Sequence, residues 1–318
     1  MKRIKIWAIP AAILLLMLPF VVQMFDNADF LLRIAVMIGI YIILTLSLNI
    51  IVGYAGQFAL GHAAFYGIGA YTAALLMVNY DVSFWLALPA AAIVTGFFGF
   101  LLGTPVMRLK GDYLGIVTLG FGEIVRLIFV NWIDLTNGPM GIPGIPAPSL
   151  GSYTLGSNMD FYYLVLVVTV ISVLIIRRIV QSGFGLNLLT VREDEIAAES
   201  IGIRPMKYKL LAFTIGALFA GVAGALFAVT AMFVSPDSFQ YVESVNILAM
   251  VVLGGTASIP GSILGATILT VAPEALRFIS DYRLILLGLI IVLMMVYKPS
   301  GFWGESKRKR NFFGMTGR

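Results

Sequence analysis

Cysteine is absent from the sequence and histidine occurs once. The first absence excludes a disulfide framework, thiolate metal ligands and thiol nucleophiles together; the second removes a histidine-built metal centre. Charge is also scarce, with Asp, Glu, Lys and Arg making up 12% of the 318 residues. A nucleophile elbow, a P-loop, paired catalytic carboxylates and a zinc signature are all missing, so no catalytic residue and no metal site are expected.

What the chain has instead is apolar sequence: 60% hydrophobic residues and a mean hydropathy of +0.98. Its apolar runs reach about 20 residues, enough to cross a bilayer. Candidate spans are Ile6–Phe25, Ile34–Val52, Ala59–Val78, Phe84–Met107, Leu114–Ile133, Phe161–Ile176, Leu210–Phe233 and Leu284–Tyr297, with a broken apolar region over Val245–Val271. The first run follows Lys2, Arg3 and Lys5 but is longer than a signal-peptide core and lacks a small-residue cleavage site near Met24, so it reads as a span. The expected fold is an all-α polytopic transmembrane helix bundle, with about eight full spans plus broken or re-entrant half-helices. One transmembrane domain covers 1–303, and 304–318 form a basic tail.

The formal charge of +5 points to a membrane side, not to nucleic acid. Arg108, Lys110, Arg177, Arg178, Arg204, Lys207 and Lys298 fall on one side with both termini, whereas the loop from Asn131 to Asp160 has no basic residue. The positive-inside rule therefore puts both termini in the cytoplasm of a multi-pass protein.

The most polar stretch is the insertion Gly185–Lys209, GLNLLTVREDEIAAESIGIRPMKYK, which lies between spans and must protrude into the cytoplasm. It reads as one short helix. Arg192, Glu195 and Glu199 share one side; Leu189, Ile196, Ala197 and Ser200 lie towards the protein. Gly202 and Pro205 stop the helix near Ile201. The run is either a solvated loop helix or a seat for a partner.

Two glycine-rich passages interrupt the spans. In LGGTASIPGSILGA, Gly254, Gly255, Pro260, Gly261 and Gly265 would break a continuous helix, giving half-helices that meet near the midplane or two short spans joined by a glycine turn. In GYAGQFALGHAAFYGIGAY, Gly53, Gly56 and Gly61 allow close backbone approach, while Gln57, His62 and Tyr66 bring polar groups to a wall. His62 reads as a structural residue or a proton carrier. In the fifth span, Glu123 and Arg126 lie one turn apart, as an ion pair locking helices or as a gate. The outer loop TNGPMGIPGIPAPSLGSYTLGS is a plain connector or a docking surface. Ala212, Gly216, Ala220, Gly224 and Ala228 form a small-residue packing stripe.

Transport fits this inventory better than catalysis. An ion-driven carrier would show more buried charge, so a separate ATPase pushing on the cytoplasmic helix is the most economical energy source.

The stretches GQFALGHAAFYGIGAY, TLGFGEIVR, NGPMGI, VREDEIAAESIGIRPMKYKLLAFTIGALFAGVAGAL and LGGTASIPGSILGA, in that order, resemble permease subunits of bacterial branched-chain amino acid ABC importers of the LivM type. The resemblance implies an inner-membrane subunit, seated in membrane lipid, that imports leucine, isoleucine and valine by alternating access. It implies a heterodimer with a second homologous permease, two cytoplasmic ATP-binding subunits that hold the ATP and Mg, and a periplasmic or lipid-anchored substrate-binding protein; this chain would bind no cofactor. It further implies a coupling helix over Val191–Ile203, with Arg192, Glu193, Glu195, Ala197, Glu199 and Gly202; the residues themselves suggest a translocation path or gate at Gln57, Gly61, His62, Tyr66, Glu123, Arg126, Gly254 and Gly255. Leu186 stands where such proteins often carry arginine, and Ala257 and Ser262 where glycine and proline are common. Urea or short-amide importers of the same architecture are the nearest alternative, and a membrane enzyme or assembly factor is the alternative from another class.

Overall fold

A computed structural model describes residues 27–107, 109, 111–151, 153–275 and 301–303, with isolated positions 16, 17, 19, 20, 23 and 288. The expected spans Ile6–Phe25 and Leu284–Tyr297 lie outside the described residues apart from those positions, and so does the whole tail 304–318. Helix α1 (Ala28–Asn49) continues into a π-helical turn, Ile50–Tyr54; α2 (His62–Asn79), α3 (Phe84–Val106), α4 (Asp112–Asn131) and a one-turn α5 (Ile133–Thr136) follow. Next come α6 (Asn158–Gln181), the short α7 (Gly183–Glu193) and α8 (Glu195–Ser200), the long α9 (Pro205–Ala231), and the pair α10 (Tyr241–Gly254) and α11 (Ile259–Ala275).

The chain is an all-α polytopic membrane bundle. Among the described residues, five helices are long and apolar enough to span: α1 with its π turn, α3, α4, α6 and α9. Helix α2 is outside that set, although Ala59–Val78 reads as a span. Its His62, Tyr66 and Tyr71 are buried against other helices, and a helix walled by protein has no need of a uniformly apolar surface.

Helix α9 is the axis, packing on α3, α2 and α1. The stripe Ala212, Gly216, Ala220, Gly224 and Ala228 is buried throughout. A side chain at Gly224 would place Cβ 2.3 Å from the Tyr66 carbonyl oxygen and 2.6 Å from the Ala70 amide, so α2 and α9 meet almost backbone to backbone. Replacing Gly224 with leucine is therefore expected to push α2 away and prevent folding, read as loss of a monodisperse peak on size exclusion; Ala231→Leu, at the end of the same helix, is the control. A monodisperse G224L protein would contradict this packing.

The loop between α5 and α6 carries structure of its own. Strand β1 (Ile142–Pro143) pairs antiparallel with β4 (Phe233–Val234), in register Ile142↔Val234, while β2 (Ser149–Leu150) pairs with β3 (Tyr153–Thr154). The Trp85 Nε1–H donates to the Ser149 carbonyl at 2.8 Å, tying this cap to α3. Ser157 and Asp160 form a capping box that starts α6 at the same end of the bundle.

Candidate functional site

The two glycine-rich passages meet inside the bundle, and a residue that sequence reasoning passed over joins them. Asn49 ends α1 with its side chain buried. Its Oδ1 accepts from the Ala257 amide at 2.9 Å, and its Nδ2 donates to Ser262 Oγ at 2.7 Å and to the Ser258 carbonyl at 3.3 Å. These contacts satisfy the backbone where α10 stops and α11 begins, which apolar surroundings would otherwise leave unpaired. Gly53 makes room: a Cβ there would lie 1.8 Å from Asn49 Oδ1 and 2.5 Å from the Ala257 amide. Gly216 of α9 packs on Ile51 and the Ser47 carbonyl, and the stretch from Pro205 to Gly216 is about 16 Å of helix. The junction therefore sits at mid-height of the bundle.

Gly254 and Gly255 form the other half of the break. A Cβ at Gly254 would lie 2.1 Å from the Gly261 carbonyl oxygen, and Gly255 has φ +115°, open to glycine alone. Phe302 and Trp303 donate backbone N–H bonds to the Leu253 and Gly254 carbonyls at 2.9 Å. Ala257 holds φ +58°, a strained value for a residue with a Cβ. Ala257→Gly is thus expected to raise stability by about 0.5–1 kcal/mol, seen as a higher thermal midpoint.

The insertion differs from the single helix expected. Asp194 leaves helical geometry (φ −155°, ψ 113°), and its side chain caps α8 by accepting from the Ile196 and Ala197 amides at 2.8 and 3.0 Å. That break rotates α8 relative to α7, so the expected faces change. Glu195 turns inward and pairs with Lys209, which is 3% exposed at the base of α9. Ile196, assigned to the protein side, is 77% exposed, and Ala198 is buried in its place. Glu193, Ala197, Glu199, Ile201 and Gly202 are exposed, and Gly202 has φ +83°, ending the helix where expected. Arg192 reaches back into the bundle: its Nη1 donates to the Gly53 carbonyl, and its stem lies against Gly56. The exposed insertion is thereby connected through Gly53 and Asn49 to the α10–α11 break.

Residues 30–295 match the family model described as branched-chain amino acid transport system / permease component. The chain belongs to this permease family. It is 44% identical to the high-affinity branched-chain amino acid transport system permease protein LivM of Salmonella typhimurium, over 84% of this chain and 68% of that protein. It is 27% identical to the probable LivM permease of Methanocaldococcus jannaschii, over 88% and 94% of the two chains. The LivH permease of Salmonella typhimurium is 26% identical, over 83% and 91%. No solved structure matches the chain. Membership makes it a transport subunit and not an enzyme.

The remaining candidates of this permease fall into two groups. Gln57, Gly61, His62 and Tyr66 gather where the irregular stretch after the π turn enters α2. His62 Nε2 lies 2.6 Å from Ser47 Oγ, a Cβ on Gly61 would strike the Thr118 carbonyl at 2.0 Å, and Gln57 is buried with Nε2 on the Ala55 carbonyl at 3.3 Å. Among the described residues, His62 Nδ1 and Gln57 Oε1 are buried without a hydrogen-bond partner. Glu123 and Arg126 stand apart from this group, pairing across one turn of α4 at 3.0 Å with both side chains part-exposed. That pair closes within one helix, and among the described residues it bridges to no second helix. Among the described residues, no group of three His, Asp or Glu is placed to hold a metal.

Proposed function

We propose that this permease is the transmembrane subunit of a bacterial inner-membrane importer for leucine, isoleucine and valine, driven by ATP hydrolysed, with Mg, on two separate cytoplasmic subunits. The LivM relatives support the substrate class, and the LivH relative supports a second, homologous permease as partner in a heterodimer. A periplasmic or lipid-anchored receptor would deliver the amino acid. Both termini lie in the cytoplasm, and about eight full spans surround the α10–α11 pair.

The observation that carries this reading is the Arg192–Gly53 bond. A surface that projects from the bundle, carrying exposed Ile196 and Ile201 beside Glu199, is wired through that bond to a helix break at mid-height. Docking of an ATPase on α8 would press on α7, and Arg192 would carry the displacement to the π turn and to Gly254 and Gly255. Gln57, Gly61, His62 and Tyr66 line the route that this motion opens; Glu123 and Arg126 stand on its α4 side. Elements with two packings switch rather than bend, which suits an alternating-access cycle.

In reconstituted complexes, Ile196→Asp and Glu199→Lys are expected to cut leucine uptake about tenfold or more while the permease alone keeps its thermal midpoint, because both side chains point away from the fold. Normal leucine uptake in both variants, with ATP hydrolysis still coupled, would exclude α8 as the docking helix.

A further inference from the structure

Glu243 is absent from the route described so far. The stretch Ser235–Ser244 reads as an outer loop, yet Pro236–Phe239 forms a 3-10 turn with Phe239 buried, and α10 begins at Tyr241. Glu243 therefore lies inside the bundle, in the first turn of α10. Its carboxylate stands with the Tyr41 side chain on the wall of one cavity. Its Oε1 is shut off from solvent and, among the described residues, has no hydrogen-bond partner. An acceptor left open in an apolar setting is costly unless something arrives to fill it.

Beside it is a cavity of about 360 Å³, lined by Tyr41, Tyr66, Phe227, Asp237, Gln240 and Glu243 among others. No lysine or arginine is among its described lining residues. Tyr66 packs on Phe227 with ring centres 5.4 Å apart, so two aromatic walls stand close to the two carboxylates. Acid plus aromatic faces is the chemistry that holds a cation with several N–H donors. The cavity is also on the correct side. Tyr66 is level with Gly224 of α9, near the end of the bundle that carries the β1–β4 cap and away from Arg192.

We infer that this cavity takes the ammonium group of the incoming amino acid, with Glu243 Oε1 as its acceptor and the Tyr66 and Phe227 rings as its walls. The inference rests on the importer reading above and adds where the substrate is first held. A zwitterion released by a receptor meets a negative, aromatic site before the mid-height break opens.

The test uses the whole complex of both permeases and both ATPases in nanodiscs, without receptor, titrated with radiolabelled L-leucine. Glu243→Gln is expected to weaken binding about tenfold or more, since a charge-assisted bond becomes a neutral one, and Glu243→Asp to restore most of it. On the wild type, 3-methylbutylamine, which keeps the ammonium, should compete, and 4-methylpentanoate, which keeps only the carboxylate, should not. Unchanged binding by E243Q, the reverse order of competitors, or no leucine binding by the wild type each overturns the site. The competitor series needs no variant, so it decides the matter even where E243Q fails to assemble. Receptor-driven leucine uptake by the wild type, measured in parallel, separates the two ideas: uptake with failed competition sinks the site alone, and no uptake sinks the importer reading.

Discussion

Asn49→Leu should abolish leucine uptake and lower the thermal midpoint of the assembled complex. Leucine keeps the branched outline of asparagine but puts bulkier methyl groups where the oxygen and nitrogen stood, so the hydrogen bonds are lost and crowding beside Gly53 and Ala257 adds to the damage. The Ala257 amide would lose the acceptor that Asn49 supplies at 2.9 Å, while Ser262 Oγ, losing its 2.7 Å bond, still donates to the Ser258 carbonyl at 3.0 Å; a buried polar group left unpaired costs about 1–3 kcal/mol. Ser262→Ala should be milder, because Asn49 Nδ2 keeps the Ser258 carbonyl at 3.3 Å and the Ala257 bond is untouched. The order of the two variants is the check. Wild-type uptake and midpoint in N49L would mean that the break holds itself and that α1 does not steer it.

The second large effect concerns Glu195. Lys209 is almost fully buried and Glu195 is its ion-pair partner, so Glu195→Gln leaves an ammonium group inside the base of α9 without its counter-charge. Removing one member of a fully buried pair costs about 3–5 kcal/mol, and the partial exposure of Glu195 brings the cost here below that, whereas replacing both by apolar residues of similar size is often neutral. The single variant should therefore unfold at a clearly lower temperature, and the double variant Glu195→Leu with Lys209→Met should recover most of the loss. This result bears on function as well. Glu195 and Glu199 look equivalent in the sequence, but only Glu199 faces outward, so a transport defect in a Glu195 variant would report on folding. A double variant no better than E195Q would show that Glu195 has a role beyond the pair.

Much of the fold was legible because its signals are local. Apolar runs gave α1, α3, α4, α6 and α9, since a helix in lipid must satisfy its own backbone and be apolar on its surface. Gly254, Gly255 and Gly261 marked the α10–α11 break, and Gly202 with Pro205 marked the end of α8, because glycine and proline act on the backbone where they stand. Helix α2 was legible as an apolar run, Ala59–Val78, although its protein-facing polar residues leave it short of the apolarity of the five spanning helices.

What the sequence could not convey is which distant groups meet. Asn49 is one asparagine at the end of an apolar run, and nothing within its neighbourhood announces that it caps a break at Ala257. Asp194 reads as one more acid in a charged helix until its cap on Ile196 and Ala197 divides that helix and turns Glu195 inward. Glu243 reads as a loop acid until Phe239 packs between α2 and α4 and draws the first turn of α10 into the bundle. By itself, then, the sequence determined a polytopic helical permease with a projecting charged insertion and two interrupted helices, because hydropathy and backbone permissiveness belong to each residue alone. Tertiary structure alone decided that Arg192, Gly53 and Asn49 join these parts, because a hydrogen bond between helices depends on geometry that neither helix contains.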